Sequence, residues 1–146
     1  SKEGEGKREL GKYGDFVRET DWAVGEVLAA LAKAGVGGNT LVILTSDNGC
    51  SKAAGIPALQ TLGHYPSADM RGSKADIFDG GHRVAFLVNW PGRIAPGSTN
   101  KELICHTDFF ATCADLLGQK LPDTAGEDSF SLLPVLLGRP PPEPRR

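Results

Sequence analysis

The sequence predicts an α/β fold, with helices packed on a partial β-sheet and a long loop that carries the chemistry. Three observations predict it. One long segment repeats its apolar residues at helical spacing, two short runs are apolar and rich in β-branched residues, and more than thirty residues without a sustained period separate those runs.

Residues 1–12 are polar and read as a flexible N-terminal segment. Phe16, Ala23, Val24, Val27, Leu28 and Leu31 then recur at helical spacing, predicting one amphipathic helix over Tyr13–Ala34, interrupted near Gly25 at most. Gly35 stands where a helix C-cap falls, and Gly37 and Gly38 follow as a turn. Leu41 to Thr45 reads as a buried strand closed by Asp47-Asn48-Gly49, and Val84 to Val88 as a second one closed by Trp90-Pro91-Gly92. The stretch between them is rich in Gly, Ser, Ala and Pro, and a loop that long inside a compact domain is expected to be functional. Thr107 is expected to N-cap a helix through Leu117, with Phe109, Phe110, Cys113, Leu116 and Leu117 as its apolar stripe and Gly118 past its end. Residues 130–137 read as a last short helix. The main body therefore runs over 13–138, and 139–146 is a proline-rich extended tail.

Composition narrows the function classes. Hydrophobic content of 40% and charged content of 23% are globular values, against wholesale disorder. A net charge of −2 gives no footprint for nucleic acid, and no basic run marks a membrane surface. The longest apolar runs are far too short for a membrane span, and the charged, glycine-rich start Ser1–Gly6 is unlike a signal peptide. Two strands of buried character are too few for a covered sheet. The chain reads as part of something larger, and an open sheet edge would offer a route to self-association.

Cys50, Cys105 and Cys113 are an odd count without metal-ligand spacing. On one helix, Cys105 and Cys113 would stand about 12 Å apart, too far for a disulfide. A zinc site from these thiols with His64, His82 or His106 is the weaker reading; small buried or partly buried thiols are the stronger one.

Asp47 and Asn48 follow the C-terminal end of the first strand, where open α/β sheets place their ligand crevice. A carboxylate and an amide carbonyl are hard oxygen donors suited to calcium or magnesium, although Asn-Gly is also a common turn pair and spacing alone favours the turn. Lys74 lies in Arg71-Gly72-Ser73-Lys74, followed by Asp79-Gly80-Gly81-His82-Arg83. Cations in such a glycine-rich loop can approach an oxyanion closely, but without context an ordinary solvated loop is the favoured reading.

These pieces, in order, resemble the sulfatase family, of the arylsulfatase type within the alkaline-phosphatase-like superfamily. The resembling stretches begin with Asp21-Trp22-Ala23-Val24-Gly25, then Leu41 to Gly49, then Arg71-Gly72-Ser73-Lys74 with Asp79 to Val84. Trp90-Pro91-Gly92-Arg93-Ile94, Thr107-Asp108-Phe109-Phe110 and Asp128 to Pro134 follow, so the likeness covers residues 13–138.

The resemblance implies the C-terminal part of a sulfatase catalytic domain. Asp47 and Asn48 match the family's calcium ligands, and Lys74 matches the lysine that contacts the sulfate near the leaving oxygen. His64 and Arg71 are candidates to line the substrate pocket, and His82 is read as packing. The family's nucleophile is a cysteine or serine oxidised to formylglycine within Cys/Ser-x-Pro-x-Arg, and none of the three cysteines here has that context. The chain alone is therefore expected to be inactive and to hold an incomplete calcium site. The implied partner is a sulfated small molecule or glycan, and the implied compartment is periplasmic, secreted or lysosomal. Competing readings are a non-catalytic remnant serving as a binding or assembly module, and a related phosphoesterase.

Overall fold

The computed structural model describes residues 10–141. Most of the segment 1–12, and the tail beyond residue 141, lie outside the described residues. The chain divides into two compact units, one ending at Asn89 and one beginning at Trp90.

In the first unit, helix α1 spans Gly11–Lys33. It is the single helix expected and runs through Gly25 unbroken. One interior glycine costs only about 1 kcal/mol, too little to break so long a helix. The C-terminal cap is as expected. Gly35 takes φ of +71°, and the Gly35 and Val36 amides donate to the Ala32 and Leu31 carbonyls at 3.0 and 3.2 Å.

Strand β1, Val42–Thr45, pairs antiparallel with strand β2, Phe86–Asn89, with Val42 opposite Asn89 and Thr45 opposite Phe86. The second strand therefore starts two residues later than the apolar run suggests. The Ala85 carbonyl accepts instead from the Thr45 hydroxyl at 2.9 Å. The strands are not buried on both faces as expected, since Leu44 and Leu87 are exposed. A two-strand ribbon with no third strand among the described residues cannot cover both of its faces.

The long stretch between the strands is not a plain loop. It holds a short 3-10 turn at Lys52–Ala54, helix α2 at Ile56–Thr61 and helix α3 at Asp79–His82. Elements of three to six residues are too short to show a helical period, which is why the pattern stayed silent. Leu59 of α2 is buried.

The second unit holds helix α4, Asp108–Leu116, and helix α5, Leu133–Leu136. Thr107 stands at the N-cap position of α4 but makes no capping bond, because its backbone is already helical at φ −58° and ψ −24°. The start of the helix is held from elsewhere. Asp108 accepts from the Cys105 amide at 2.7 Å and the Phe130 amide at 3.0 Å, while the Ser129 hydroxyl accepts from the Ala111 amide at 2.9 Å. The buried face of α4 is consequently polar, with Asp108 and Thr112 enclosed and Phe110 and Leu117 exposed, the reverse of the expected apolar stripe. Gly118 closes the helix at φ +65°, as expected.

Candidate active site

The antiparallel register decides what meets what. With Thr45 opposite Phe86, the chain leaving β1 and the chain entering β2 lie at the same end of the ribbon. That end brings Asp47-Asn48-Gly49 against the Arg71–Arg83 segment. The Gly49 amide donates to the Gly81 carbonyl at 2.9 Å, the Lys74 amide to the Cys50 carbonyl at 2.9 Å, and the Gly80 amide to the Arg71 carbonyl at 2.7 Å.

Glycine makes this junction sterically possible. A Cβ on Gly49 would fall 1.9 Å from the Gly80 carbonyl oxygen, and one on Gly81 would fall 2.1 Å from that of Asp76. Both obstacles are backbone, so the segments can lie this close only without side chains.

The junction presents its functional groups outward. Asp47 and Lys74 are exposed, and neither side chain has a hydrogen bond or ion pair among the described residues. Asn48 donates its side-chain N–H to the Gly49 carbonyl at 3.1 Å, which leaves Oδ1 as an acceptor. Ser46 braces the turn by donating its hydroxyl to the Asn48 carbonyl at 3.0 Å. An oxygen pair and an ammonium are thus carried on two segments joined through Gly49 and Cys50.

Arg71 belongs to the same junction through its carbonyl, and its guanidinium lies 3.7 Å from the centroid of the Phe78 ring. His64 is placed differently. Its ring packs 5.5 Å from that of Tyr13 on α1, and its Nε2 is buried without a hydrogen-bond partner among the described residues. Burial raises the Tyr13 phenol above its ordinary range, with a smaller push from nearby Cys50, and burial also raises the Cys50 thiol. Between α1 and the ribbon runs an open groove of about 880 Å³, lined by residues including Phe16, Val24, Leu44, Asn48 and Met70. Asp47, His64, Arg71 and Lys74 are not in its lining.

The thiols depart in part from expectation. Cys50 is half-buried, whereas Cys105 and Cys113 are exposed, and Cys105 precedes α4 rather than sharing it. None of the three is in a disulfide. Among the described residues, no group of three His, Cys, Asp or Glu side chains is arranged to hold a metal.

Pattern reasoning missed the residues that shape the Lys74 loop. Asp76 accepts from the Ser73 amide at 2.9 Å, the Ser73 hydroxyl at 3.1 Å and the Lys52 ammonium at 3.2 Å. The Ser73 amide, then the Lys52 ammonium and the Ser73 hydroxyl, hold the Asp76 carboxyl below the usual carboxylate range. The Ser-x-x-Asp spacing was the available signal, since Ser and Asp readily make such local turns.

The class defined so far is an α/β chain whose glycine-tight junction sets Asp47, part-buried Asn48 and exposed Lys74 on adjoining segments. The comparisons identify the family. The family model described as Sulfatase matches residues 1–119. Steryl-sulfatase of Rattus norvegicus is 46% identical over 131 residues, covering 88% of this chain and 22% of the relative. N-acetylgalactosamine-6-O-sulfatase of Bacteroides thetaiotaomicron is 38% identical over 137 residues, covering 92% and 27%. A structure solved in work on glycosaminoglycan metabolism by that bacterium superposes with a TM-score of 0.78 at 36% identity, covering 88% of this chain and 27% of its own. A structure of Ps i-CgsB in complex with k-i-k-neocarrahexaose gives a TM-score of 0.76 at 26% identity, covering 90% and 28%.

This chain belongs to the sulfatase family. It spans about a quarter of the length of the relatives it matches. No helix among the described residues is long and apolar enough to cross a membrane.

Proposed function

We propose that this chain forms the leaving-group side of a sulfate-ester hydrolase site, with Lys74 touching the ester and Asp47 and Asn48 supplying part of a calcium site. The observation that carries this is the junction itself, which ties Asn48 to Lys74 through Gly49 and Cys50 and leaves the Asp47 and Lys74 side chains unpaired among the described residues.

The donor chemistry fits calcium in part. The Asp47 carboxylate and Asn48 Oδ1 are hard oxygens, and together they offer two or three of the roughly six to eight that calcium takes. Bound there, calcium would supply fixed positive charge against the sulfate oxygens.

In hydrolysis the S–O bond to the alcohol breaks and that oxygen departs with the electron pair. The Lys74 ammonium, donating a hydrogen bond to it, offsets the developing charge. The attacking oxygen would come from a formylglycine outside this sequence, which contains no Cys or Ser followed by x-Pro-x-Arg. The remaining calcium ligands would come from outside as well. Exposed Phe16 and Trp22 on α1, at 68% and 64%, support packing against further parts of such a domain. The substrate is a sulfated small molecule or glycan. Relatives named for a steryl, an aryl and an N-acetylgalactosamine-6-sulfate ester share the sulfate and differ in the alcohol.

The test uses the full-length enzyme that contains this chain, assayed on 4-nitrophenyl sulfate and on a sugar sulfate. Lys74→Ala is expected to lower kcat on the sugar sulfate by about 100-fold, the usual scale for a lost transition-state donor. Asp47→Asn is expected to raise the calcium concentration needed for activity. Unchanged kcat on the sugar sulfate in Lys74→Ala, or sulfatase turnover by the purified 146-residue chain, would overturn the reading.

A further inference from the structure

We propose that Asp76 is the positioning residue for Lys74: its carboxylate closes a clasp on Ser73 and Lys52 that sets where the Lys74 ammonium stands. This rests on the reading of Lys74 given above.

The clasp spans the functional loop on both sides of Lys74. One carboxylate oxygen of Asp76, Oδ2, holds both the amide and the hydroxyl of Ser73, the residue before Lys74. The other, Oδ1, meets the Lys52 ammonium, and Lys52 opens the 3-10 turn just beyond Cys50. The Asp76 amide donates back to the Ser73 carbonyl at 2.9 Å. The Lys74 backbone thus belongs to a closed ring of contacts whose far side, residues 50–52, directly follows Asp47 and Asn48.

The backbone inside that ring needs holding. Gly72 takes φ of +89°, and Ala75 takes φ of +73°, a left-handed conformation that a residue with a Cβ adopts at a cost of about 1–2 kcal/mol. Such a turn persists where surrounding contacts over-determine it, and Asp76 makes most of those contacts. Ser73, the clasp's inner partner, is only 5% exposed. The Lys52–Asp76 pair is itself largely solvent-exposed, so its value lies in geometry more than in stability.

A positioning role separates from a structural one through the leaving group. Lys74 matters most for a poor leaving alcohol and little for 4-nitrophenolate, which departs without help. In the full-length enzyme, Asp76→Ala is expected to lower kcat on a sugar sulfate by roughly 30- to 100-fold, the scale of a misplacement near 1 Å, with KM little changed. On 4-nitrophenyl sulfate the loss should stay within about threefold. Lys52→Met and Ser73→Ala, which each remove one arm of the clasp, should shift the same ratio part of the way. Should Asp76→Ala fail to fold, these two carry the test.

A second readout does not depend on turnover. The rate of Lys74 acylation by an amine-reactive ester, read by mass spectrometry, should be slowed by inorganic sulfate in the parent enzyme and not in Asp76→Ala. Equal losses on both substrates, or intact sulfate protection in Asp76→Ala, would overturn the clasp. If Lys74→Ala itself leaves the ratio between substrates unchanged, the role of Lys74 fails and the clasp falls with it. A changed ratio in Lys74→Ala with an unchanged one in all three clasp variants refutes the clasp alone.

Discussion

The Lys74 amide donates a 2.9 Å hydrogen bond to the carbonyl of Cys50, two residues beyond Asn48. That single bond couples the segment offering oxygen donors to the segment offering a cation. Neither can shift along its own axis without disturbing the other, and the glycines on either side allow no intervening side chain.

Gly49→Ala should therefore be severe. Its Cβ would meet the Gly80 carbonyl oxygen at 1.9 Å, and backbone cannot swing aside. We expect about 3 kcal/mol of destabilisation, at the upper end of overpacking costs. Gly25→Ala is the contrast, since a Cβ there meets nothing within 4 Å inside α1 and should stabilise by about 0.5–1 kcal/mol. Urea unfolding of both variants checks the pair, and similar effects would contradict the junction.

Asp108 should be the most sensitive position of the second unit. It is fully enclosed and accepts from the amides of Cys105 and Phe130, while its own carbonyl accepts from the Thr112 hydroxyl at 2.6 Å. Asp108→Ala deprives two amide donors of their side-chain acceptor and should cost about 3 kcal/mol. Asp108→Asn keeps one acceptor oxygen and should cost less. Amide exchange at Cys105 and Phe130 reports the loss directly, and unchanged protection there would show that the carboxylate does not hold the turn.

The Asp76 clasp should open in acid. Its carboxyl is held below the ordinary value, so the native state favours the charged form. The sign follows from linkage. The contribution is fully present above the unfolded-state value near 4 and is lost as pH falls through the lower native value. The Ser73 amide chemical shift should therefore move at acid pH, and that step should vanish in Asp76→Asn. A pH-independent Ser73 signal would exclude the carboxylate as its acceptor.

The three thiols should react at different rates. Burial raises the Cys50 thiol, which also donates to the Ser51 carbonyl at 3.6 Å, whereas Cys105 and Cys113 are exposed. Because the thiolate is the reactive form, Cys50 should label roughly tenfold more slowly than Cys113 near neutral pH. Mass spectrometry after timed alkylation measures this, and equal rates would place Cys50 at the surface.

Much of the fold was legible in the sequence because the signals were local. The period of α1 and the glycines after Lys33 and Leu117 are short-range consequences of side-chain geometry and of which residue tolerates positive φ. Asp47, Asn48 and Lys74 were singled out as candidates by likeness of motif. What the pattern lacked was any statement of distance between them.

Tertiary structure decided the rest. The antiparallel register of β1 and β2 brought the two motifs to one end of the ribbon, and register depends on pairing partners far apart in the chain. It also gave α4 a polar buried face, because Ser129, Phe130 and Leu132 return to bond it from the following segment, whereas an apolar stripe read by period alone assumes an apolar neighbour. Residue types and their local spacing were written in the sequence; which carbonyl each amide would find, and hence where Lys74 stands, came only from how distant segments pack.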